Sequence, residues 1–206
     1  DADVHPRWLS ALHKIETDAP VILIANEVLD CLPARQFIKT EGGWAERRIG
    51  VTDADELTFG LTAIADGFEA PGFDVEPGQI IEISEQQAAF GRDLASLIRA
   101  ASGAALLIDY GRSKPEAGDT LQALRRHQKV DPLSTPGEAD LTQWADFPLV
   151  LEAAVRGGAD VTGCVSQGAF LKALGIEARA QRLMQGRPEA APVIQRQLDR
   201  LTAPDQ

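Results

Sequence analysis

Cysteine is nearly absent from this chain: Cys31 and Cys164 are the only two in 206 residues, far apart and outside any C-x-x-C or Cys/His spacing. A disulfide framework and a cysteine-based zinc site are therefore excluded as organising features, and the two read as free thiols of a reducing compartment. Cys31 is expected to be small and buried, since no cationic neighbour in sequence stabilises a reactive thiolate. Aromatic residues make up only 5%, with Tyr110 the single tyrosine. Positive charge is also in short supply: 20 Lys and Arg stand against 31 Asp and Glu, for a net charge of -11. Such a surface repels phosphate backbones, which argues against nucleic acid as the main partner and is easier to reconcile with a basic protein or peptide. No apolar run approaches the ~20 residues that cross a bilayer, so membrane insertion is not expected. The chain opens D-A-D-V-H-P, without Met, basic leader or apolar core of a signal peptide, so truncation or processing at its start is expected. Catalytic signatures are missing too. No G-x-x-x-x-G-K-[ST] accompanies the Walker-B-like L-L-I-D at 106–109, no H-E-x-x-H occurs, and the run around Ser166 lacks the first glycine of G-x-S-x-G.

The most informative stretch runs from Val21 to Phe37, V-I-L-I-A-N-E-V-L-D-C-L-P-A-R-Q-F. Val21 to Ala25 form a short apolar, β-branched run after an Asp-Ala-Pro turn, which predicts a strand buried on both faces of a parallel α/β sheet. It stops on Asn26, Glu27 and Asp30, with Pro33 closing the segment. In open α/β sheets ligands sit outside the carboxyl ends of the strands, so polar residues there are candidates for chemistry; they also serve as helix caps.

Around this strand the patterning predicts a short amphipathic helix over residues 4–16, through Trp8, Leu9, Leu12 and Ile15. Residues 35–64 alternate apolar and polar residues about Glu41-Gly42-Gly43 and a turn at 53–56, an antiparallel hairpin or meander inserted in the α/β chain. A brief strand at 79–83 leads through a Ser84/Gln87 capping box into a helix from Glu85 to about Ala101. A second buried strand, A-A-L-L-I-D-Y-G, follows. Read as a crossover unit, strand, helix and strand place Asp109 on the same edge as Asn26 and Glu27. Residues 112–147 read as a polar loop segment covering the active site. A helix from Pro148 to Val155, a strand at 161–165, short helices at 168–174 and 178–183 divided by Gly175, and a closing amphipathic helix complete one α/β domain over 1–206.

Glu27 and Asp30 lie three residues apart, so a helical turn beginning at Val28 points both carboxylates into one space. Two acids so placed hold a guanidinium by charge-assisted hydrogen bonds; equally, they cap and orient backbone. Asp109 and Tyr110 end the second strand, where the ring offers a π face to a cation or the D-Y-G run merely turns. His127, in a polar loop beside Arg125, Arg126 and Lys129, is the histidine best placed for function, although loop histidines are usually solvated. Trp144 reads as core.

N-E-V-L-D-C-L-P-A-R-Q-F resembles the N-E-x-x-D-A-L-P-x-x-Q-F motif of the MidA family, S-adenosylmethionine-dependent methyltransferases that include the mitochondrial complex I assembly-factor methyltransferase. L-L-I-D-Y-G at 106–111, D-T-L-Q-A-L-R-R-H at 119–127, P-G-E-A-D-L-T-Q-W-A-D-F at 136–147 and S-Q-G-A-F-L-K-A-L-G-I at 166–176 agree with it. The resemblance implies a Rossmann-like methyltransferase sheet with the inserted hairpin and a helical cover. It implies S-adenosyl-L-methionine as cofactor and arginine on a protein partner as substrate, by analogy a respiratory complex I subunit. Asn26, Glu27 and Asp30 would act on the substrate nitrogen; Asn26, Asp109 and Tyr110 would line the cofactor; and His127, Asp140 and Asp146 would add substrate contacts. Trp144-Ala145 departs from the family's usual residues beside Asp140 and Asp146. The location implied is the bacterial cytoplasm or the mitochondrial matrix. No G-x-G turn occurs in the sequence. This leads to the expectation of a carboxyl-terminal half, lacking roughly a hundred upstream residues that would carry the cofactor loop. Two rival readings are a non-catalytic assembly module, which holds a basic segment on the same acidic edge, and another nucleotide-binding α/β enzyme.

Overall fold

The computed structural model describes residues 5–16, 18–64 and 68–203. The chain divides into two compact units, Asp1–Val161 and Thr162–Gln206.

In the first unit the apolar run forms β1 (Ile22–Asn26), which pairs in parallel with the later strand β6 (Ala104–Ile108), Ile22 opposite Ala104 and Asn26 opposite Ile108. Parallel register sends both chains out at the same edge, and the backbone N–H of Glu27 continues the ladder by donating to the Ile108 carbonyl at 2.8 Å. Asn26, Glu27, Asp109 and Tyr110 are thus neighbours, as expected. β1 is not buried on both faces, however. Side chains alternate across a strand, and Ile22 and Ile24 are 83% and 68% exposed while Ala25 is buried.

The insertion is a four-stranded antiparallel sheet in the order β4-β3-β2-β5, built from β2 (Arg35–Thr40), β3 (Gly43–Val51), β4 (Leu57–Thr62) and β5 (Ile80–Ile83). Its first three strands are the predicted meander. β5 corrects the crossover reading: it pairs antiparallel with β2, Ile38 opposite Ile80, and not with the parallel sheet. The connection from β1 to β6 therefore spans the whole insertion. Phe37 is buried, and Phe68 stacks between it and Trp44 at centroid distances of 4.5 and 5.6 Å.

Helix α1 (Glu85–Ala101) starts where Ser84 accepts the Gln87 N–H at 3.1 Å, the predicted cap, and ends on Ser102 in the left-handed region. It packs against α2 (Phe147–Arg156), which Asp146 caps through the Leu149 N–H. The approach is close: a Cβ on Gly91 would lie 2.5 Å from the Val150 carbonyl oxygen. Leu29, Ala145 and Val150 form the core, with Leu32, Phe90, Leu107 and Phe147 against them.

Residues 112–147 are far more regular than a covering loop. β7 (Gly111–Arg112) pairs in parallel with β11 (Ala145–Asp146), and β8 (Gln122–Arg125) lies between β9 (Gln128–Val130) and β10 (Asp140–Thr142). Arg126 and His127, both at positive φ, make the two-residue turn between β8 and β9. The polar composition disguised these strands because they are short and half-buried. Two other expectations fail. The amphipathic helix near the start is only a 3₁₀ turn at Leu12–Lys14, which touches α1 and half-buries Leu12 and Ile15 while Trp8 is 91% exposed. Residues 161–165 form no strand, and Val161 and Val165 are exposed.

The second unit holds α3 (Gln167–Ala173), α4 (Ile176–Gly186) and α5 (Ala191–Leu201). Ser166 caps α3, and Gly175 at φ +83 makes the break that separates α3 from α4.

Candidate active site

The turns leaving β1 and β6 are fastened to each other by the two acids they carry. Asp109 accepts three backbone N–H groups: Leu29 at 2.9 Å and Asp30 at 3.3 Å through Oδ2, and Tyr110 at 2.9 Å through Oδ1. It is thereby a clamp between the two strand exits. Burial pushes its carboxyl up from the ordinary range, the negative charge of Asp30 adds to this, and the three N–H donors oppose it. The Asp30 carboxylate, 6% exposed as a residue, accepts the Tyr110 hydroxyl at 2.6 Å. Desolvation, followed by this bond to Asp30, pushes the phenol up to about 12, so it stays a neutral donor.

Glu27 leaves the strand at φ +49, a left-handed conformation that costs a residue with a Cβ about 1–2 kcal/mol. Its side chain is exposed and has no hydrogen-bond partner among the described residues. Asn26, also exposed, stands beside it. The predicted turn is present as a bond from the Leu32 N–H to the Leu29 carbonyl, 3.1 Å. It does not join Glu27 to Asp30, because Asp30 turns inward to Tyr110. Cys31 is exposed rather than buried, its thiol donating to the Val28 carbonyl.

Two glutamines hold this turn, Gln87, expected only as part of a helix cap, and Gln143, which no sequence pattern singled out. Gln87, 1% exposed, donates to the carbonyls of Leu29 (2.9 Å) and Trp144 (3.3 Å) and accepts the Asp146 N–H (2.8 Å). Gln143 donates its backbone N–H to the Asp30 carbonyl at 3.0 Å and its carboxamide to the Leu32 carbonyl. Capping logic explains the start of the helix at Gln87 but not where its carboxamide goes. Trp144 is 42% exposed, not core, and Tyr110 is 38% exposed.

The other predicted contacts are not gathered here. His127 is exposed at the tip of the β8–β9 turn, and exposed Asp140 lies opposite Leu124 in the β10–β8 pair. Asp146 caps α2, and burial raises its carboxyl from the usual range. Among the described residues no group of three or more His, Cys, Asp or Glu could hold a metal ion.

A sequence model of a family described as "Putative S-adenosyl-L-methionine-dependent methyltransferase" matches residues 1–165. The chain belongs to this family. Members similar to it include proteins named "Protein arginine methyltransferase NDUFAF7, mitochondrial". The one from Xenopus tropicalis is 36% identical over 85% of this chain and 40% of its own length, and that from Homo sapiens is 32% identical over 93% and 43%. A crystallised protein from Burkholderia thailandensis bound to S-adenosyl-homocysteine superposes with TM-score 0.82 at 29% identity, over 97% of this chain and 53% of that one. The α/β fold is thus the Rossmann-like fold of this methyltransferase family with its antiparallel insertion. The chain spans less than half the length of these curated relatives.

Proposed function

We propose that this chain forms the substrate side of an S-adenosylmethionine-dependent methyltransferase acting on arginine of a protein partner. The observation that carries the reading is the convergence of Asp30, Asp109 and Tyr110, with free Glu27 beside them, on the carboxyl edge of a parallel strand pair. Family membership and the names of the relatives support the reaction class. Resemblance to the complex I assembly-factor methyltransferase points to a respiratory complex I subunit as substrate, and to the bacterial cytoplasm or mitochondrial matrix as the location.

The edge fits the methionine end of the cofactor. Asn26 offers a carboxamide, and Tyr110 offers a neutral, part-exposed ring to a cationic sulfonium. Neither β1 nor β6, the strands of the parallel pair, is followed by a G-x-G turn for the nucleotide end. When bound, the cofactor supplies an electrophilic methyl group on sulfur. The protein's task is orientation. A guanidinium held by the exposed Glu27 carboxylate, on a turn that Asp30 fixes through Tyr110, presents one nitrogen in line and loses rotational freedom before reaction. Transfer of the methyl group from sulfur, which would leave as a neutral thioether, would free one proton from the nitrogen, and the unpartnered Glu27 carboxylate would accept it on the way to solvent.

Calorimetric titration of S-adenosylhomocysteine into this chain, and into a longer form matching the length of its relatives, tests the reading. Weak binding by the first and firm binding by the second is expected. In the longer form Glu27→Gln and Asp30→Asn should then slow methylation of an arginine peptide at least about tenfold, with little change in cofactor affinity. If neither form binds, the enzyme reading falls and the non-catalytic assembly reading, in which the acidic edge holds a basic segment, replaces it.

A further inference from the structure

The inserted sheet has a gap in it. β2 pairs with β3 only as far as Gln36 opposite Arg47, but β3 runs on to Val51, paired there with β4 alone. The inner backbone edge of β3 over residues 48–51 therefore has no strand beside it among the described residues. The gap opens into a cleft of about 330 Å³ that extends from Ile49 and Phe59 to Ala34, Leu121 and Gln143. An unpaired edge of this kind is a template for an added strand.

The cleft is lined by three arginines, Arg35, Arg47 and Arg48, in a chain of net charge -11. Two acids answer them. Buried Glu46 takes Arg35 through two bonds of 2.7 and 3.0 Å and Arg48 through one of 2.7 Å. Asp119 takes Arg47 through two bonds of 2.8 Å. Each nitrogen of Arg47 has a partner, Gln36 for Nε and Asp119 for the other two, and the group lies 4.4 Å over the Phe59 ring. Arg48 differs: its Nε and Nη1, and Nη1 of Arg35, have no partner among the described residues, and the Arg48 side chain is 57% exposed. Glu85 also acts on Arg35, so the surplus is one of donors rather than of net charge: the free guanidinium nitrogens of Arg48 and Arg35 flank a fixed Glu46. On the face of the ribbon that carries Arg47, opposite to Arg48, cross-strand pairs Ile49 with Phe59 and Val51 with Leu57 expose apolar surface. Backbone donors, free guanidinium nitrogens and apolar face favour one kind of occupant.

We propose that this gap is a docking site for an extended acidic segment of a partner protein, which adds as a short strand to the free edge of β3 and sets a carboxylate against Arg48 and Arg35. The cleft meets the carboxylate edge of β1 and β6 through Gln143, which lines it and holds the Asp30 turn, and has the opposite polarity. It does not depend on the methyl-transfer reading.

The test uses a fluorescein-labelled decapeptide of alternating valine and glutamate, its valine–lysine counterpart, and a valine–glutamate version N-methylated on alternate backbone nitrogens. Anisotropy titrations should show the glutamate peptide binding, the lysine peptide not binding, and the N-methylated one weakened. Arg48→Gln, which leaves Glu46 its bidentate Arg35, should weaken binding about tenfold, the scale of one charge-assisted hydrogen bond. Amide exchange should slow at residues 48–51 on binding. Absence of binding, equal affinity for all three peptides, unchanged affinity in Arg48→Gln, or protection confined to other segments would each overturn the proposal.

Discussion

Tyr110 donates its hydroxyl to the Asp30 carboxylate at 2.6 Å across the exits of two parallel strands, 80 residues apart in the chain. Among the described residues it is the only side-chain donor to that buried carboxylate. One bond thus couples the shape of the β1 turn, on which Glu27 rides, to the ring at the exit of β6.

Tyr110→Phe keeps the ring and removes the donor. A buried charged acceptor left without its partner costs about 1–3 kcal/mol, so urea denaturation should show a loss of that size with an unchanged slope. Because the phenol is pushed up to about 12, it stays protonated across the range in which enzymes are assayed. Any pH dependence of methyl transfer between about 7 and 10 should therefore survive in Tyr110→Phe. Its disappearance would show that the hydroxyl titrates in that range after all.

Asp109 carries a pH signature of definite sign. Its folded-state carboxyl is raised, first by burial and then by Asp30, so its protonated form is the one favoured by folding. The stability it contributes is full below the ordinary carboxylate value and is lost as pH rises through the raised one. Asp109→Asn loses one of the two side-chain oxygens that accept backbone N–H groups at every pH but has no such titration. Unfolding curves from acid to neutral pH should show wild type furthest above the variant in acid, with the gap narrowing upward. A gap that widens with pH would mean that the three N–H donors outweigh burial.

The strand exits were legible from sequence because an apolar run ending in N-E-V-L-D, and another ending in I-D-Y-G, obey a local rule. Parallel register then places Asn26, Glu27, Asp109 and Tyr110 together without further information. Three things were not legible. Which carboxylate faces which depends on long-range bonds: Asp30 turns to Tyr110 rather than to Glu27, and Gln87 bonds Leu29 and Trp144, residues 58 and 57 positions away. Strands of two to four residues such as β7 and β8 carry too little periodicity to separate from polar loop. The reading of β5 as part of the parallel sheet failed because a four-residue strand, I-I-E-I, looks alike in either sheet. The pairing of Ile38 with Ile80, decided by the insertion, settled it.

Arg112 and Glu82 form a buried ion pair at 2.9 Å, with side chains 3% and 5% exposed, that fixes the insertion to the strands beside the site. Glu82 on β5 also accepts Gln36 Nε2 at 2.9 Å and the Thr120 N–H and hydroxyl at 3.0 and 2.6 Å, while Arg112 on β7 donates to the Glu116 carbonyl at 2.7 Å. Thr120 in turn accepts the Trp144 N–H at 2.9 Å, so the network reaches the segment that Gln87 holds. Removing one member strands a buried charge: Arg112→Met should cost about 3–5 kcal/mol by chemical denaturation. Adding Glu82→Gln to that variant should restore part of the loss, since the amide leaves no uncompensated charge and its oxygen still accepts from Thr120. A double variant as weak as the sum of its two single variants would mean that the ion pair contributes no coupling, and that the backbone bonds to Thr120 and Glu116 alone fix the two sheets.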